Sequence, residues 1–219
     1  MEPKFWHQVW KNNSIGFHQM EFHPWLKNIT EEKMAANVFV PLCGKSLDMC
    51  PLAASYDGLI GAELSEIACR DFFTQAKLTP EISNNGQHQQ FRFADSEVDI
   101  ALLMGDYFAL SPEQFNAKGG FDIFDRAAMV ALPQSMRQAY VDKLRELFKH
   151  TTLFIMTLEF DQNEISGPPF CLNDTMINQY FGFATSAKLL ESKLLDDKVF
   201  AQRKLKVSSL RESLYQITW

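Results

Sequence analysis

The sequence lacks the features that mark several specialised classes of protein. Its four cysteines, Cys43, Cys50, Cys69 and Cys171, form no CxxC pair and no zinc-finger spacing, which predicts free thiols in a reducing compartment. No apolar run approaches the ~20 residues that a membrane-spanning helix needs. The basic residues are dispersed in a chain whose formal charge is −6, so the electrostatic footprint of a nucleic-acid-binding protein is missing.

Nothing in the sequence divides the chain into parts. Its 219 residues contain no linker rich in proline, glycine or serine, no internal repeat and no low-complexity segment. The first residues, MEPKFWHQVWKNN, are amphipathic and polar, unlike a secretory signal peptide. We therefore expect a single domain over 1–219, a cytoplasmic monomer whose partner is a small molecule rather than a nucleic acid or a membrane.

The chain does contain short apolar segments that alternate with helical patterns, after an N-terminal stretch (1–35) that fits no strand pattern. The predicted strands are Val38–Leu42, Leu59–Leu64, Phe121–Phe124, Leu153–Phe160 and Leu214–Thr218. Strands separated by helices predict parallel pairing, and late strands without a clear helix between them predict an antiparallel edge. The predicted fold class is therefore α/β, a doubly wound and mostly parallel sheet.

Local signals refine this prediction. Ser65 suits the N-cap of the helix after the second strand, and Pro133 suits the first turn of a later helix. Two alternating runs within residues 89–104 predict a hairpin inserted before the next crossover. Because an interior proline costs a helix ~3 kcal/mol, the helix after the first strand is expected to begin at or near Pro51.

Ligands bind open α/β sheets in the crevice beyond the carboxyl ends of the strands, so the residues that follow each strand are the candidates for a site. Four strand ends carry a glycine or a charged residue: Leu42-Cys43-Gly44, Glu63, Gly105-Asp106 and Asp125-Arg126. We expect these segments to lie together at one edge of the sheet.

The first of these turns continues into Gly44-Lys45-Ser46, which resembles the end of a phosphate-binding loop. The motif GxxxxGK[ST] would need a glycine at position 39, where the sequence has Phe39 inside the predicted strand. The backbone cradle for a triphosphate would then be missing. A dinucleotide fingerprint, GxGxxG, is likewise reduced to one glycine, which makes an NAD-linked oxidoreductase a weak alternative.

Glu63 suggests another ligand. It stands at the end of the second strand, about 20 residues after Gly44, where a carboxylate can accept hydrogen bonds from the two hydroxyls of a ribose. An adenosine without a phosphate chain fits this pair, as in S-adenosylmethionine. From position alone, two plainer interpretations stay open: Glu63 as an exposed carboxylate, and Gly44 as a simple strand-to-helix turn.

Seven motifs, in order along nearly the whole chain, resemble the bacterial thiopurine S-methyltransferase family. They are FWHQVW, IGFHQ, VPLCGKSLDM, GAELSE, GDYFAL, DRAAMVALP and GPPF. The resemblance implies a seven-stranded, Rossmann-like methyltransferase sheet with S-adenosylmethionine as the cofactor. It implies methyl transfer to an aromatic or heterocyclic thiol such as a thiopurine, and members of the family also act on selenium and tellurium species.

The resemblance also implies roles for particular residues. The cofactor side would comprise Trp10, Leu42, Glu63 and Arg126, with Gly44 at the turn. The substrate side would comprise Phe17, His18, Arg126 and Phe170. Residues 1–35 would form an N-terminal cover that excludes water from the site. No side chain is assigned as catalytic, because an acidic thiol ionises without help, and no histidine spacing favours a metal.

Plainer alternatives stay open for several of these residues. Trp10 could anchor an N-terminal helix, and Arg126 could form a salt bridge with Asp125 or Asp106. His18 could be a packing residue, and the prolines before Phe170 fix a turn whether or not a ligand is near. A non-catalytic sensor of an adenosine ligand on the same fold is the alternative function.

Overall fold

The computed structural model describes residues 3–219, and its main feature is a twisted sheet covered by helices on both faces. The strands are β1 Asn37–Val40, β2 Gly58–Glu63, β3 Glu81–Asn85, β4 His88–Ala94, β5 Asp99–Met104, β6 Phe121–Asp125, β7 Thr152–Glu159, β8 Ser186–Leu194, β9 Val199–Phe200, β10 Arg203–Lys204 and β11 Arg211–Thr218. The α-helices are α1 Pro3–Lys11, α2 Leu26–Glu31, α3 Met49–Ala53, α4 Glu66–Ala76, α5 Gln134–Leu147 and α6 Asp174–Tyr180.

The main sheet has the strand order β3-β4-β5-β2-β1-β6-β7-β11-β8. The five central strands, β5 to β7 in that order, are parallel, and the strands at both ends are antiparallel. The α/β prediction is confirmed, but the main sheet formed by the described residues has nine strands where seven were expected. The difference arises at the edges, since β3 is short, polar and exposed, and its sequence shows no alternating pattern.

The central strands are buried on both faces, which explains why they read as continuous apolar runs. Neighbouring residues of β1 belong to different cores: Val38 packs with Leu52 and Phe72, whereas Phe39 packs with the other cluster, which contains Tyr140. Successive strand residues point to opposite faces, so this division follows from the pleat. The doubly wound arrangement is therefore visible within two residues of β1.

The helix boundaries largely follow the predicted signals. The hydroxyl of Ser65 accepts a hydrogen bond from the N–H of Ala68 and caps α4. Pro133 takes the N-cap position of α5, one residue before the helix begins. Pro51 lies in the first turn of the five-residue helix α3, where its missing N–H costs little. The looser turn expected before Pro51 is present and ends at Asp48.

The predicted hairpin over 89–104 is present as β4 and β5, but its description as an insertion was wrong. β5 pairs in parallel with β2 from Leu59↔Ile100 to Glu63↔Met104, so it belongs to the central sheet. The added element is instead the β3–β4 hairpin, which extends the edge. This placement brings the end of β5 beside the end of β2.

The described part of the N-terminal cover is residues 3–35, and it contains α1 and α2. α1, whose buried residue is Trp10, and residues 17–19 lie at the carboxyl ends of the central strands, whereas Leu26 and Ile29 of α2 pack into the core with Val38. At the far end of the cover the N–H groups of Met34 and Ala35 donate to the carboxylate of Asp122 in β6. Within residues 3–219, no helix combines the length and the apolar character needed to cross a membrane.

Candidate active site

A cavity of about 390 Å³ lies at the carboxyl ends of the central strands, beneath the N-terminal cover. Its floor is formed by the turns after β1, β2, β5 and β6, as the strand-end argument predicted. Seven of the eight residues proposed from the sequence line it: Trp10, Phe17, His18, Leu42, Gly44, Glu63 and Arg126. The tertiary structure therefore brings together residues spread over more than half of the chain.

Glu63 lies against the turn that contains Gly44. The N–H of Gly44 donates to Glu63 Oε2 (2.9 Å), and the N–H of Ser65 donates to Oε1 (2.7 Å). The side chain is only 6% exposed, so it is not the surface carboxylate of the plainer alternative. A carboxylate oxygen can accept more than one hydrogen bond, so both oxygens of Glu63 have capacity left for a ligand hydroxyl.

The protonation of Glu63 is sensitive to its surroundings. Burial raises the pKa of Glu63 to about 7, against the lowering effect of the backbone N–H groups of Ser65 and Gly44. A ligand that donates further hydrogen bonds to the carboxylate would favour its ionised form. The residue therefore titrates near neutrality until such a ligand binds.

The turn after β1 is shaped by backbone conformations that side chains rarely adopt. Leu42 has a φ of 47° and Gly44 a φ of 55°. A leucine in the left-handed region is strained, and such strain concentrates at functional sites. A Cβ placed on Gly44 would lie 3.2 Å from Cζ2 of Trp10, so the glycine lets the indole approach the turn.

Lys45 does not face an open phosphate loop. Its Nζ donates to Asp71 Oδ2 (2.9 Å) in α4, and the lysine side chain is largely buried in this ion pair. The anion that neutralises Lys45 is therefore part of the protein. Together with Phe39 in place of the first glycine, this pairing argues against a triphosphate site.

Arg126 follows β6 and is held between two segments. Its Nη1 donates to Asp48 Oδ2 and its Nη2 donates to Gln19 Oε1, while its Nε is buried and finds no hydrogen-bond partner in the part of the chain that the structure describes. The salt bridge suggested as an alternative was assigned to Asp125 or Asp106, and both partners were wrong. Asp48 lies 78 residues away in sequence, so no local pattern indicates this pair.

Asp125 does not pair with Arg126 but accepts hydrogen bonds that hold the turn after β6. Its buried carboxylate accepts hydrogen bonds from the N–H groups of Ala128 and Met129 and from the hydroxyl of Tyr140 (2.7 Å). Burial raises its pKa to about 6. These bonds fix the turn after β6, in which Ala127 has a φ of 68°, and thereby place Arg126.

His18 lies in the cavity wall as a buried ring. Burial is the main cause that lowers its pKa, and the positive charges of Lys45 and Arg126 lower it further. Its Nε2 is buried and has no hydrogen-bond partner among residues 3–219. An imidazole with an unpaired nitrogen beside a cavity is not explained by packing alone.

The opposite side of the cavity is apolar and aromatic. The rings of Trp6 and Trp10 both pack edge-on against Phe17, with centroids 5.9 and 5.7 Å apart. Pro168 and Pro169 complete this wall. Such a surface suits a flat ring.

Phe170 is the predicted residue that the structure does not bring to the cavity. Its N–H donates to the carbonyl of Val130 (2.7 Å), and its ring packs against Gly167. The two prolines before it lie in the wall instead. A plain turn was the alternative interpretation of this segment, and it describes Phe170 better.

The turn after β5 contributes Asp106, which lines the cavity and caps a short 3₁₀ turn by accepting the N–H of Phe108. Gly105 has a φ of 156°, and a Cβ there would meet the ring of His88 at 2.6 Å. His88 in turn lies 2.9 Å from the carbonyl of Asp106. The edge hairpin thus supports this turn from behind.

Several lining residues were missed by sequence reasoning. They include Trp6, Tyr107, Phe108, Leu132, Met136, Phe200 and Arg203. Trp6 and the pair Tyr107-Phe108 fall inside motifs that had been noted, so the motifs carried a signal. Phe200 and Arg203 lie in the two-residue strands β9 and β10, for which the sequence gives no pattern.

The described residues hold no group of three or more histidine, cysteine, aspartate or glutamate side chains that could bind a metal ion. All four cysteines are free thiols, and three of them are buried. Cys43 lies in the wall beside Glu63, and burial raises the pKa of its thiol. The chemistry of the site therefore rests on carboxylate, arginine, imidazole and aromatic groups.

Comparison with solved structures shows the fold. The chain matches a methyltransferase from Anabaena variabilis described as SAM-dependent, with a TM-score of 0.59 and 14% identity, over 98% of this chain and 94% of the other. It also matches the magnesium protoporphyrin IX methyltransferase of Synechocystis, solved with bound SAH, with a TM-score of 0.60 and 10% identity, over 98% and 99% of the two chains.

Comparison of sequences shows the family. The model of the family described as thiopurine S-methyltransferase matches residues 1–219. Proteins named thiopurine S-methyltransferase are 37% identical over 222 residues in Pseudomonas fluorescens (99% of both chains) and in Shewanella sp. strain MR-7 (98% of both). The fold, the site at the strand ends and these matches agree, and the chain belongs to the thiopurine S-methyltransferase family.

Proposed function

We propose that this protein transfers the methyl group of S-adenosylmethionine to the sulfur of an aromatic or heterocyclic thiol, such as a thiopurine. Family membership and the fold support S-adenosylmethionine-dependent methylation. The observation that carries the proposal is the buried carboxylate of Glu63, held against the turn at Gly44 in the wall of the cavity. Soft selenium and tellurium species share the chemistry of a thiolate, and the proposal includes them as acceptors.

The residues on the cofactor side fit the cofactor. Glu63 would accept hydrogen bonds from the ribose hydroxyls, and bonds to a charged acceptor are stronger than neutral ones. Gly44 lets the ligand and Trp10 approach the same turn. The face of Trp10 offers a cation–π contact worth about 0.5–2 kcal/mol to a sulfonium. When bound, S-adenosylmethionine supplies an electrophilic methyl group on that sulfonium.

Arg126 would act as the anion-binding group of the site. Two of its five N–H groups are engaged by Asp48 and Gln19, so it has donors left for a ligand. The ligand group would be the methionine carboxylate or an anionic acceptor. Because a guanidinium cannot be deprotonated in a protein, this interaction would persist across the physiological pH range.

The acceptor side would hold a flat thiol between Phe17, Pro168 and Pro169, with His18 at its edge. The protein would raise the rate mainly by proximity and in-line orientation, which can lower a barrier by about 7–11 kcal/mol in well-aligned cases. The thiol proton is lost to solvent before the sulfur attacks, since an aromatic thiol ionises near neutral pH. No side chain is needed as a base.

The non-catalytic sensor is the less favoured function, because the family and the curated relatives are named for an enzyme. A transfer assay with radiolabelled S-adenosylmethionine separates the two functions. We expect label in the thioether formed from an aromatic thiol and none in the product of the matched phenol. Tight binding of S-adenosylhomocysteine without any turnover on thiols or selenols would instead indicate the sensor.

The N-terminal cover gives the proposal a second test. If the cover closes on ligand and excludes water, amide hydrogen exchange of residues 5–19 should slow when S-adenosylhomocysteine is added. The edge strand β3 serves as an internal control, because it is exposed at the end of the sheet and none of its residues lines the cavity. Equal protection of residues 5–19 with and without ligand would count against a closing cover.

A further inference from the structure

Asp48 stands at the N-cap of α3 but does not cap it. Aspartate is among the best N-cap residues because its carboxylate accepts N–H groups of the first turn. Here the carboxylate makes no cap hydrogen bond, although the residue occupies the N-cap position and is only 1% exposed. Because the buried carboxylate of Asp48 does not serve as a helix cap, we expect it to have another role.

The two oxygens of Asp48 serve two different segments. Oδ1 accepts the backbone N–H of His23 in the N-terminal cover (2.9 Å), and Oδ2 accepts Nη1 of Arg126 after β6. One buried carboxylate therefore joins the cover, the β1–α3 turn and the strand end that carries the arginine.

Gln19 of the cover makes a second contact with the ion pair of Asp48 and Arg126. Its Oε1 accepts a hydrogen bond from Nη2 of Arg126, whereas Asp48 accepts one from Nη1. Residues 19 and 23 of the cover thus bind the two members of one ion pair. Removal of either charge would leave the other buried without its partner, which is costly.

The outer end of this chain of contacts is fixed to the sheet. The N–H of Trp25 donates to Nδ1 of His23 (3.2 Å), so the ring proton is on Nε2, which lies 3.3 Å from Glu212 Oε2 in β11. His23 is therefore anchored on one side by β11 and on the other by Asp48. Residues 19–23 of the cover can move away from the cavity only if these hydrogen bonds break.

We propose that Asp48 is a positioning residue that makes closure of the N-terminal cover and orientation of Arg126 one event. With Asp48 in place, the arginine points to the cavity only when residues 19–23 of the cover are docked. The inference rests on the proposed function, with the methionine carboxylate of the cofactor as the group that Arg126 binds. Asp48 itself touches neither ligand.

Two substitutions of Asp48 distinguish the contributions of the hydrogen bonds that its two carboxylate oxygens accept. D48N keeps an oxygen for one neighbour and presents an NH₂ group to the other, so one of the two bonds is lost and the charge is removed. D48A removes both bonds. D99N is the matched control, since Asp99 also pairs with an arginine, Arg92, but at the opposite end of β5.

The first readout is the binding of S-adenosylhomocysteine by calorimetry, well below the melting temperature of each variant. We expect D48N to weaken binding about tenfold or more and D99N to leave it unchanged. Deuterium uptake should rise over residues 17–23 in D48N and not over α2. In steady-state assays the KM for S-adenosylmethionine should rise about tenfold while kcat changes much less.

A double-mutant cycle tests the coupling itself. Q19A removes the bond from the cover to Arg126 and should also weaken binding of S-adenosylhomocysteine. Because both changes act through Arg126, the effect of D48N/Q19A should be clearly smaller than the product of the single effects. Fully independent effects, or a D48N variant that melts earlier but binds the ligand and protects residues 17–23 like the wild type, would overturn the proposal.

The two proposals fail in distinguishable ways. A wild-type protein that does not bind S-adenosylhomocysteine would contradict the proposed function. A wild-type protein that binds it, with D48N binding equally well, would contradict only the role of Asp48. If D48N does not fold, Q19A alone still decides, because docking of residues 17–23 and ligand affinity must fall together.

Discussion

The floor and the N-terminal cover both line the cavity, but different interactions hold each of them in place. All four residues of β1 are buried, and Glu63 is fixed by backbone N–H groups of two neighbouring turns. The part of the cover before α2, residues 3–23, depends mainly on the indole of Trp10 and on the hydrogen bonds from residues 19 and 23. The floor therefore unfolds only with the whole sheet, whereas the cover can open locally.

The largest expected difference between the two regions is in global stability. Phe39→Ala empties a site at 0% exposure in β1 and should lower the free energy of unfolding by about 3–5 kcal/mol. Trp10→Ala should lower it much less, although Trp10 is only 5% exposed, because α1 can undock by itself. Urea denaturation of both variants measures this, and equal losses would show that floor and cover form one cooperative unit.

The next effect concerns ligand affinity at the floor. Glu63→Ala removes the acceptor proposed for the ribose hydroxyls and should weaken binding of S-adenosylhomocysteine by about 1.5–3 kcal/mol. Glu66→Ala, on the exposed side of the next helix, is the control and should bind like the wild type. Calorimetry compares the two, and undiminished binding by Glu63→Ala would remove the ribose assignment.

A smaller effect is expected from pH. The raised pKa of Glu63, about 7, means that the ligand-free carboxylate is mostly protonated at pH 6 and mostly ionised at pH 8. If ligand hydroxyls bind the ionised form, affinity for S-adenosylhomocysteine should rise about tenfold between these values and level off above pH 8.

Burial and the positive charges of Lys45 and Arg126 lower the pKa of the neighbouring His18, and Glu63→Gln separates any contribution of this imidazole from that of Glu63. Titration calorimetry at a series of pH values provides the measurement. Glu63→Gln should bind weakly at every pH and show a flat profile. A wild-type affinity that falls as pH rises would contradict ionisation as the basis of binding.

The smallest expected effect concerns the contact between Gly44 in the floor and Trp10 in the cover. Gly44→Ala should cost roughly 1 kcal/mol of backbone strain, because its φ is 55°. Its Cβ would also press on Trp10, so binding of S-adenosylhomocysteine should weaken. Gly86→Ala has a similar φ of 62° with nothing closer than 3.9 Å, so it should lose stability alike but keep affinity.

Identical affinities for the two alanine variants would mean that Trp10 does not depend on the turn at Gly44. A loss of affinity confined to Gly44→Ala would show that the indole and the turn form one binding surface. Thermal melts and calorimetry on the same preparations separate strain from contact. The Gly44→Ala and Gly86→Ala variants thus compare floor and cover at a single contact.

Much of the floor was predictable because its signals are local. A buried strand must be apolar, a turn beyond it must carry a glycine or a polar group, and parallel strands bring such turns to one edge. Glu63 and Gly44 were found in this way. The cover was predictable only through the family resemblance, since α1 has a single buried residue and residues 12–25 form no regular element.

The sequence could not assign the partners of its charged residues. The pairs between Lys45 and Asp71 and between Arg126 and Asp48 each join separate elements, and nothing near these residues in sequence indicates them. The exposed edge strands β3 and β8 were missed for a related reason. They are held by backbone pairing with a neighbour, which places little demand on their side chains.

The sequence by itself determined the class of fold, the turns at the strand ends and the carboxylate that faces them, because burial and backbone geometry restrict residue types position by position. Only the tertiary structure decided which charges pair, where the cover docks and that Phe170 is not among the residues that line the cavity. These outcomes depend on distances between elements far apart in the chain. A residue's own neighbours in sequence do not constrain such distances.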